Sequence, residues 1–366
     1  APTEILARQH FNLAKNILPK NLNIEMISGK QDLKTKKDIL TRLSDNKIDL
    51  IFGTHAIFQK KVNFKRLGLI IIDEQHKFGV NQRKKLSDKG GNNCDVLLMT
   101  ATPIPRTLTM TVYGDMDLSI IREKPKNRKP IKTYSKLESR IEDVLKFIKK
   151  EIRLGNQIFW VCPLIEESKK IDHSSAVKKF EYLKKIFPNQ VSLIHGKTSI
   201  ENKETILSDF LDNKFKILVS TTIIEVGIDF PNANVIIIEN ANKFGLSQLH
   251  QLRGRVGRGN KESSCILMFK SNLSNNAKKR INILKESNDG FKISEEDMKI
   301  RGFGDILGFK QSGIKNFKLA DPIHDKDLFI LAEKEIKRIE KSNENISKFK
   351  PLIKLYDRAD IINDIA

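Results

Sequence analysis

The chain of 366 residues is 39% hydrophobic and 30% charged, which excludes a disordered segment and, at this length, points to two domains with a smaller appendage. A formal net charge of +21 and a pI near 9.7 point to a polyanionic partner, nucleic acid first, although a genome rich in Lys, Asn and Ile codons would inflate the same figures. The longest apolar runs, such as Leu67–Ile72 and Val235–Ile238, are too short to cross a bilayer, and the odd, scattered Cys94, Cys162 and Cys265 fit buried thiols in a reducing cytosol rather than a zinc site or disulfide framework.

The opening A-P-T-E-I-L-A lacks the charged and apolar regions of a signal peptide and reads as the middle of a domain. From Ala1 to about Ile121, short Ile- and Val-rich runs alternate with amphipathic helical patterns, predicting βα units on a mostly parallel sheet. Its strands are expected at Leu50–Phe52, Leu69–Ile72 and Val96–Met99. The stretch R-E-K-P-K-N-R-K-P, residues 122–130, has two prolines, five basic residues and no periodicity, and reads as a linker.

A second α/β domain is expected over residues 131–270. Ile141, Val144, Leu145, Ile148 and Ile152 share a helical face, and strands follow at Ile158–Val161, Val191–Ile194, Ile217–Val219, Val235–Ile238 and Cys265–Phe269. In the appendage, residues 271–366, Ser294 with Asp297 three positions on predicts a capped helix start. Gly302, Gly304, Gly308 and Gly313 then interrupt the pattern before a final helix near Leu328–Ile339.

Asp73 and Glu74 follow the apolar run L-G-L-I-I-I, at the end of a strand where open α/β sheets collect ligands. Such a pair can hold Mg²⁺ and position an attacking water for phosphoryl transfer, or simply cap the next helix. After the next strand, M-T-A-T-P-I-P places the hydroxyls of Thr100 and Thr102 before two prolines, either as reporters on Glu74 or as an ordinary strand-to-loop junction. In the second domain, Q-L-R-G-R-V-G-R-G interleaves Arg253, Arg255 and Arg258 with glycines that keep the backbone from crowding a ligand. Planar guanidinium forks suit phosphate oxygens, whether of a nucleotide or of a nucleic-acid backbone.

In this order the blocks D-E-Q-H, T-A-T, T-T-I-I-E-V-G-I-D and Q-L-R-G-R-V-G-R resemble motifs II, III, V and VI of superfamily 2 helicases. Within that superfamily A-P-T-E-I-L-A-R-Q-H, F-G-T-H-A-I-F-Q, D-E-Q-H-K-F-G-V, V-C-P-L-I-E-E-S and the tail stretch from Asn288 to Gly313 resemble the RecG branch, whose likeness extends over essentially the whole chain. The resemblance implies two RecA-like domains in tandem facing each other across an ATP cleft.

By the same resemblance, Asp73 ligands Mg²⁺ through water, Glu74 is the general base, and Arg255 and Arg258 are arginine fingers. Gly227 and Asp229 line the nucleotide's sugar side, and Gln251 contacts the phosphates or relays between domains. Gln75, His76, Thr100 and Thr102, with Arg301 and Gln311 in the tail, couple hydrolysis to movement. Thr3, Glu4, Gly53, Thr54, His55 and the loop after Gly196 contact the DNA backbone. The implied protein is a monomeric, cytoplasmic, nucleoid-associated helicase acting on forks and Holliday junctions.

The sequence contains no G-x-x-x-x-G-K-[ST], the loop whose amides and lysine cradle nucleotide phosphates. The resemblance places that loop, and a wedge domain before it, ahead of Ala1, so the chain reads as a piece of a longer protein. Its first sheet should then lack a central strand, and the chain alone should bind ATP poorly and hydrolyse almost none. Two rivals remain open: a transcription-repair coupling factor, which shares the tail motif, and a non-catalytic DNA clamp that has lost the phosphate loop.

Overall fold

The computed structural model describes residues 1–29, 31–75, 78, 86, 88–91, 94–101, 117–123, 125, 128–163, 169–221, 230–301, 325–342, 346–349 and 351, without the side chains of 169–174, 200, 301, 326, 340, 341, 346 and 347. The first lobe opens on helix α1, Glu4–Ile17. Thr3 caps it, its Oγ1 accepting from the Leu6 amide, and Leu6, Ala7 and Ala14 form the buried stripe. Strand β1 (Ile24–Ile27), helix α2 (Leu33–Ser44, capped by Asp32) and strand β2 (Leu50–Gly53) follow, then β3 (Leu69–Ile72) and β4 (Asp95–Leu98).

These four strands form two separate parallel pairs, β1 with β2 and β3 with β4. Among the described residues no ladder joins the pairs, so the first lobe holds two ribbons instead of one sheet. Ile70 and Ile72 point into a small core with Phe78 and Leu86. The alternate positions of this ribbon are open, with Leu69 55% and Ile71 51% exposed and Val96 and Leu97 also exposed.

The second lobe is one six-stranded, all-parallel sheet in the order β5-β10-β9-β6-β8-β7. Its strands are β5 (Lys132–Leu137), β6 (Gln157–Cys162), β7 (Val191–Ile194), β8 (Ile217–Thr221), β9 (Ala233–Ile238) and β10 (Ser264–Phe269). Every residue of β6, β8 and β9 is buried, as parallel strands covered on both faces require. Helices α3 (Ile141–Arg153) and α4 (Lys169–Ile186) lie on the Trp160 face, where Val144, Leu145, Ile148 and Leu183 fill the core.

The opposite face carries α5 (Ile200–Leu211) and α6 (Leu246–Arg253) around a tight group of Phe159, Phe210 and Phe230, whose ring centroids lie 5.2–5.5 Å apart. Packing does not break at Lys270. Helices α7 (Asn275–Glu286) and α8 (Gly290–Arg301) send Ile281, Leu284 and Ile293 into this same core. Helix α8 begins four residues ahead of the expected cap at Ser294. Its first turn is held by the Asp289 carboxylate, which accepts from the Phe291 amide at 2.9 Å, so Ser294 lies inside the helix. The final helix, α9, spans Lys326–Lys341 around the expected Leu328–Ile339.

Candidate functional site

The carboxyl ends of β3 and β4 bring together the first group of expected residues. Asp73 and Glu74 follow Ile72 directly, and the Gln75 amide donates to the Met99 carbonyl at 3.0 Å, binding this turn to the segment of Thr100. Glu74 is buried and sits at φ +51°, a left-handed conformation that is strained for a residue with a Cβ. The Asp73 carboxylate is held on both oxygens: Oδ1 accepts from the Glu74 amide at 2.8 Å, and Oδ2 lies 3.0 Å from Nε2 of His10 on α1. The His10 hydrogen bond, seconded by the Glu74 amide, lowers the Asp73 pKa against the opposing effect of burial, so the group is a carboxylate at neutral pH. An ionised carboxylate only accepts, so Nε2 of His10 is the donor.

In the second lobe α6 presents the arginine segment. Gln251 is half-buried on it, and the chain then turns sharply through Gly257 at φ +76°, where a Cβ would press within 3.0 Å of the Ile131 side chain. This glycine is therefore required by the protein's own chain rather than by room for a ligand. The three arginines have different surroundings. Arg253 is 2% exposed and donates to the carbonyls of Leu284 at 2.6 Å and Ser287 at 2.9 Å and to Thr133 Oγ1 at 3.3 Å, with Nδ1 of His250 3.1 Å from its other nitrogen. It closes the carboxyl end of α7 onto the sheet. Arg258 is exposed.

Arg255 lies between these extremes. Desolvation first, then the like charge of Arg258, lower its pKa, while Glu74 of the first lobe raises it. The buried carboxylate and the desolvated guanidinium are therefore within electrostatic reach across the lobes, in a medium where such attraction is stronger than in water. Two other contacts bring the lobes together. Ile5 of α1 packs against the second lobe's core, and Arg128 of the linker approaches the Gly254 carbonyl at 3.5 Å.

The remaining expected residues lie apart from this meeting point. Thr3 caps α1, and Glu4 pairs with Arg8 one turn on at 3.2 Å. Gly53 is fixed by packing, since a Cβ there would come within 2.7 Å of the Ile27 carbonyl. Thr54 is half-buried, and the exposed His55 lies with its ring centroid 5.1 Å from that of Phe78. Gly196 is exposed in the loop after β7, where the His195 amide donates to Thr198 Oγ1. His76, Thr102, Gly227, Asp229 and Gln311 lie outside the described residues, as does the side chain of Arg301, whose backbone closes α8. Sequence reasoning alone does not single out His10 or separate Arg253 from its neighbours.

Among the described residues no group of three or more His, Cys, Asp or Glu converges on a metal position, so the site offers no all-protein cage. Mg²⁺ does not need one. It is commonly held by one or two carboxylates with water and substrate phosphates, and Asp73, ionised and already engaged on both oxygens, fits a ligand that acts through water.

The chain matches the DEAD/DEAH box helicase family over residues 1–111, the helicase conserved C-terminal domain over 139–260, and the ATP-dependent DNA helicase RecG, domain 3, C-terminal family over 287–356. The ATP-dependent DNA helicase RecG of Bacillus subtilis (strain 168) is 48% identical over 327 residues, covering 88% of this chain and 48% of that protein. Its counterpart in Escherichia coli (strain K12) is 45% identical over 331 residues, covering 89% and 48%. A structure of RecG bound to a three-way DNA junction superposes with a TM-score of 0.69 at 42% identity, covering 90% of this chain and 42% of that one. The Saccharomyces cerevisiae Dbp5 structure bound to RNA and ADP BeF3, at 18% identity and TM-score 0.58 over 82% of this chain and 79% of that one, shares the fold. The chain spans about half the length of the curated relatives it matches.

Proposed function

The chain belongs to the RecG family of superfamily 2 helicases, and from that premise we propose that its protein is an ATP-driven motor that moves on double-stranded DNA and remodels branched structures such as stalled forks and Holliday junctions. The relative solved on a three-way junction supports the substrate class. The observation that carries the proposal is the approach of Glu74 to Arg255 from opposite lobes. Phosphoryl transfer is catalysed chiefly by positioning and charge, and this arrangement aims an acid and a base-stable cation at one cleft.

In this reading Glu74 takes the proton from the attacking water, and Arg255 and Arg258 offer guanidinium forks to the charge that gathers on the γ-phosphate. An arginine in that role is worth about 10³ to 10⁵ in rate. Asp73 would hold Mg²⁺ through water, and bound Mg²⁺ supplies neutralisation of the phosphates' charge. Gln251 contacts the phosphates from α6, and Gly227 and Asp229 line the sugar. Gln75 and Thr100, tied by the Gln75–Met99 bond, relay the state of the cleft together with His76, Thr102, Arg301 and Gln311.

Thr3, Glu4, Gly53, Thr54, His55 and Gly196 belong to segments that follow the DNA backbone, which suits a motor that must tolerate every sequence. The protein works as a monomer in a bacterial-type cytoplasm, at the nucleoid. No helix of the described residues is long and apolar enough to cross a membrane. Replacement of Arg258 by Ala in the full-length protein tests the proposal: ATP hydrolysis and unwinding should be abolished with duplex binding retained. Equal loss of binding and unwinding would mark Arg258 as a backbone contact and sink its role as a finger.

A further inference from the structure

His10 is a half-exposed imidazole on α1 whose Nε2 donates to Asp73 Oδ2 at 3.0 Å, a contact that spans 63 residues of sequence. Burial does not demand this bond, because the two side chains are 35% and 24% exposed and water could satisfy either. The bond does fix the rotation of the Asp73 carboxylate. With Oδ1 already held by the Glu74 amide at 2.8 Å, the second donor leaves its plane no freedom. The same short turn holds Glu74 at its strained φ of +51° and ties Gln75 to Met99 at 3.0 Å, so three successive residues are each held in place.

We infer that His10 is a positioning residue for Asp73, orienting the carboxylate that meets the nucleotide's metal from outside the set of groups that touch metal or nucleotide. A carboxylate that works through water must present its oxygen in one direction, and outer donors of this kind set that direction. Because α1 also carries Thr3 and Glu4 at its start, the helix that approaches DNA in the proposed motor is the same rigid body that orients the metal-binding carboxylate. The inference rests on the motor reading, and the two can fail separately.

The experiment is Mn²⁺ titration, followed by electron paramagnetic resonance, of the full-length protein saturated with a non-hydrolysable ATP analogue. It compares wild type, Asp73→Asn, His10→Ala and His10→Gln, the last of which places an amide nitrogen near the position of Nε2. His10→Ala should weaken Mn²⁺ binding about 10-fold, the usual scale for loss of an outer-shell partner, and His10→Gln should restore most of it. A merely structural His10 would not be rescued by a donor of different shape. If Asp73→Asn weakens Mn²⁺ binding and His10→Ala does not, or if His10→Gln is as weak as His10→Ala, the positioning role is overturned. If Asp73→Asn itself leaves Mn²⁺ binding unchanged, the motor reading fails instead.

Discussion

The amide of Gln75 donates to the carbonyl of Met99 at 3.0 Å, and this one bond makes the acidic turn and the Thr100 segment a single piece. Two strands that are neighbours in space, with 26 residues between them at closest, thereby end in a shared platform. Anything that shifts Met99 shifts Glu74 with it. The strain at Glu74 persists because that platform determines its backbone from both sides.

The strain can be measured. Glu74→Gly and Glu74→Ala both remove the carboxylate and should both abolish hydrolysis in the full-length protein. Only glycine relieves the left-handed backbone, so Glu74→Gly should be more stable than Glu74→Ala by about 1 kcal/mol in chemical unfolding of the first lobe. Equal stabilities would mean that the backbone at 74 carries no strain.

Arg253 should behave as a structural residue. Arg253→Met leaves the Leu284 and Ser287 carbonyls without their buried donor, at a cost of about 3 kcal/mol. Arg253→Lys should recover little, since a single ammonium cannot reproduce a planar fork that reaches Thr133 and both carbonyls. Trp160, the only tryptophan and fully buried in the second lobe, gives a clean fluorescence reading in a urea titration. A loss below about 0.5 kcal/mol, typical of a surface change, would contradict the role.

The thiols make a pH prediction. Burial pushes the Cys265 pKa up from its ordinary 9.0 to about 12 and raises that of Cys162 too. Below pH 9 both states of the chain carry the proton and the groups contribute fully to stability. Between pH 9 and about 12 the unfolded chain releases protons that the folded one retains, so stability falls as pH rises. Cys265→Ala should flatten that fall, read as the pH dependence of the unfolding midpoint. In the native protein at pH 8, a disulfide reagent should label Cys94, which is only half-buried, well ahead of the other two.

The 366-residue chain on its own should bind ATP weakly and hydrolyse almost none, because no phosphate-cradling loop lies within it. Equilibrium dialysis with labelled ATP and a phosphate-release assay check this. Turnover near that of an ordinary motor, about 10 per second, would overturn it.

Much of this architecture is legible in the residues. The Ile-rich runs at Leu69–Ile72 and Val191–Ile194 mark β3 and β7 to the residue, because buried parallel strands are continuous apolar runs. The first strand of each lobe is not legible. β5 reads K-T-Y-S-K-L, and as the edge of its sheet, bonded only to β10, it keeps the polar residues that hide an edge strand. β1 is four residues long with a glutamate inside it. At the site, motif order marks Asp73, Glu74 and Arg255. His10 escapes because its partner lies 63 residues away, and Arg253 because only burial distinguishes it from two nearby arginines.

The contrast between two detached ribbons and one six-stranded sheet has a thermal consequence. A two-stranded pair is marginal without further support, whereas the second lobe is sealed on both faces. Warming should therefore melt the chain in two stages: ellipticity falls first while the emission of Trp160 stays native, and a single midpoint temperature would describe neither half. At that intermediate stage Arg255 and Arg258 still sit on a folded body, and the acids they face have already gone.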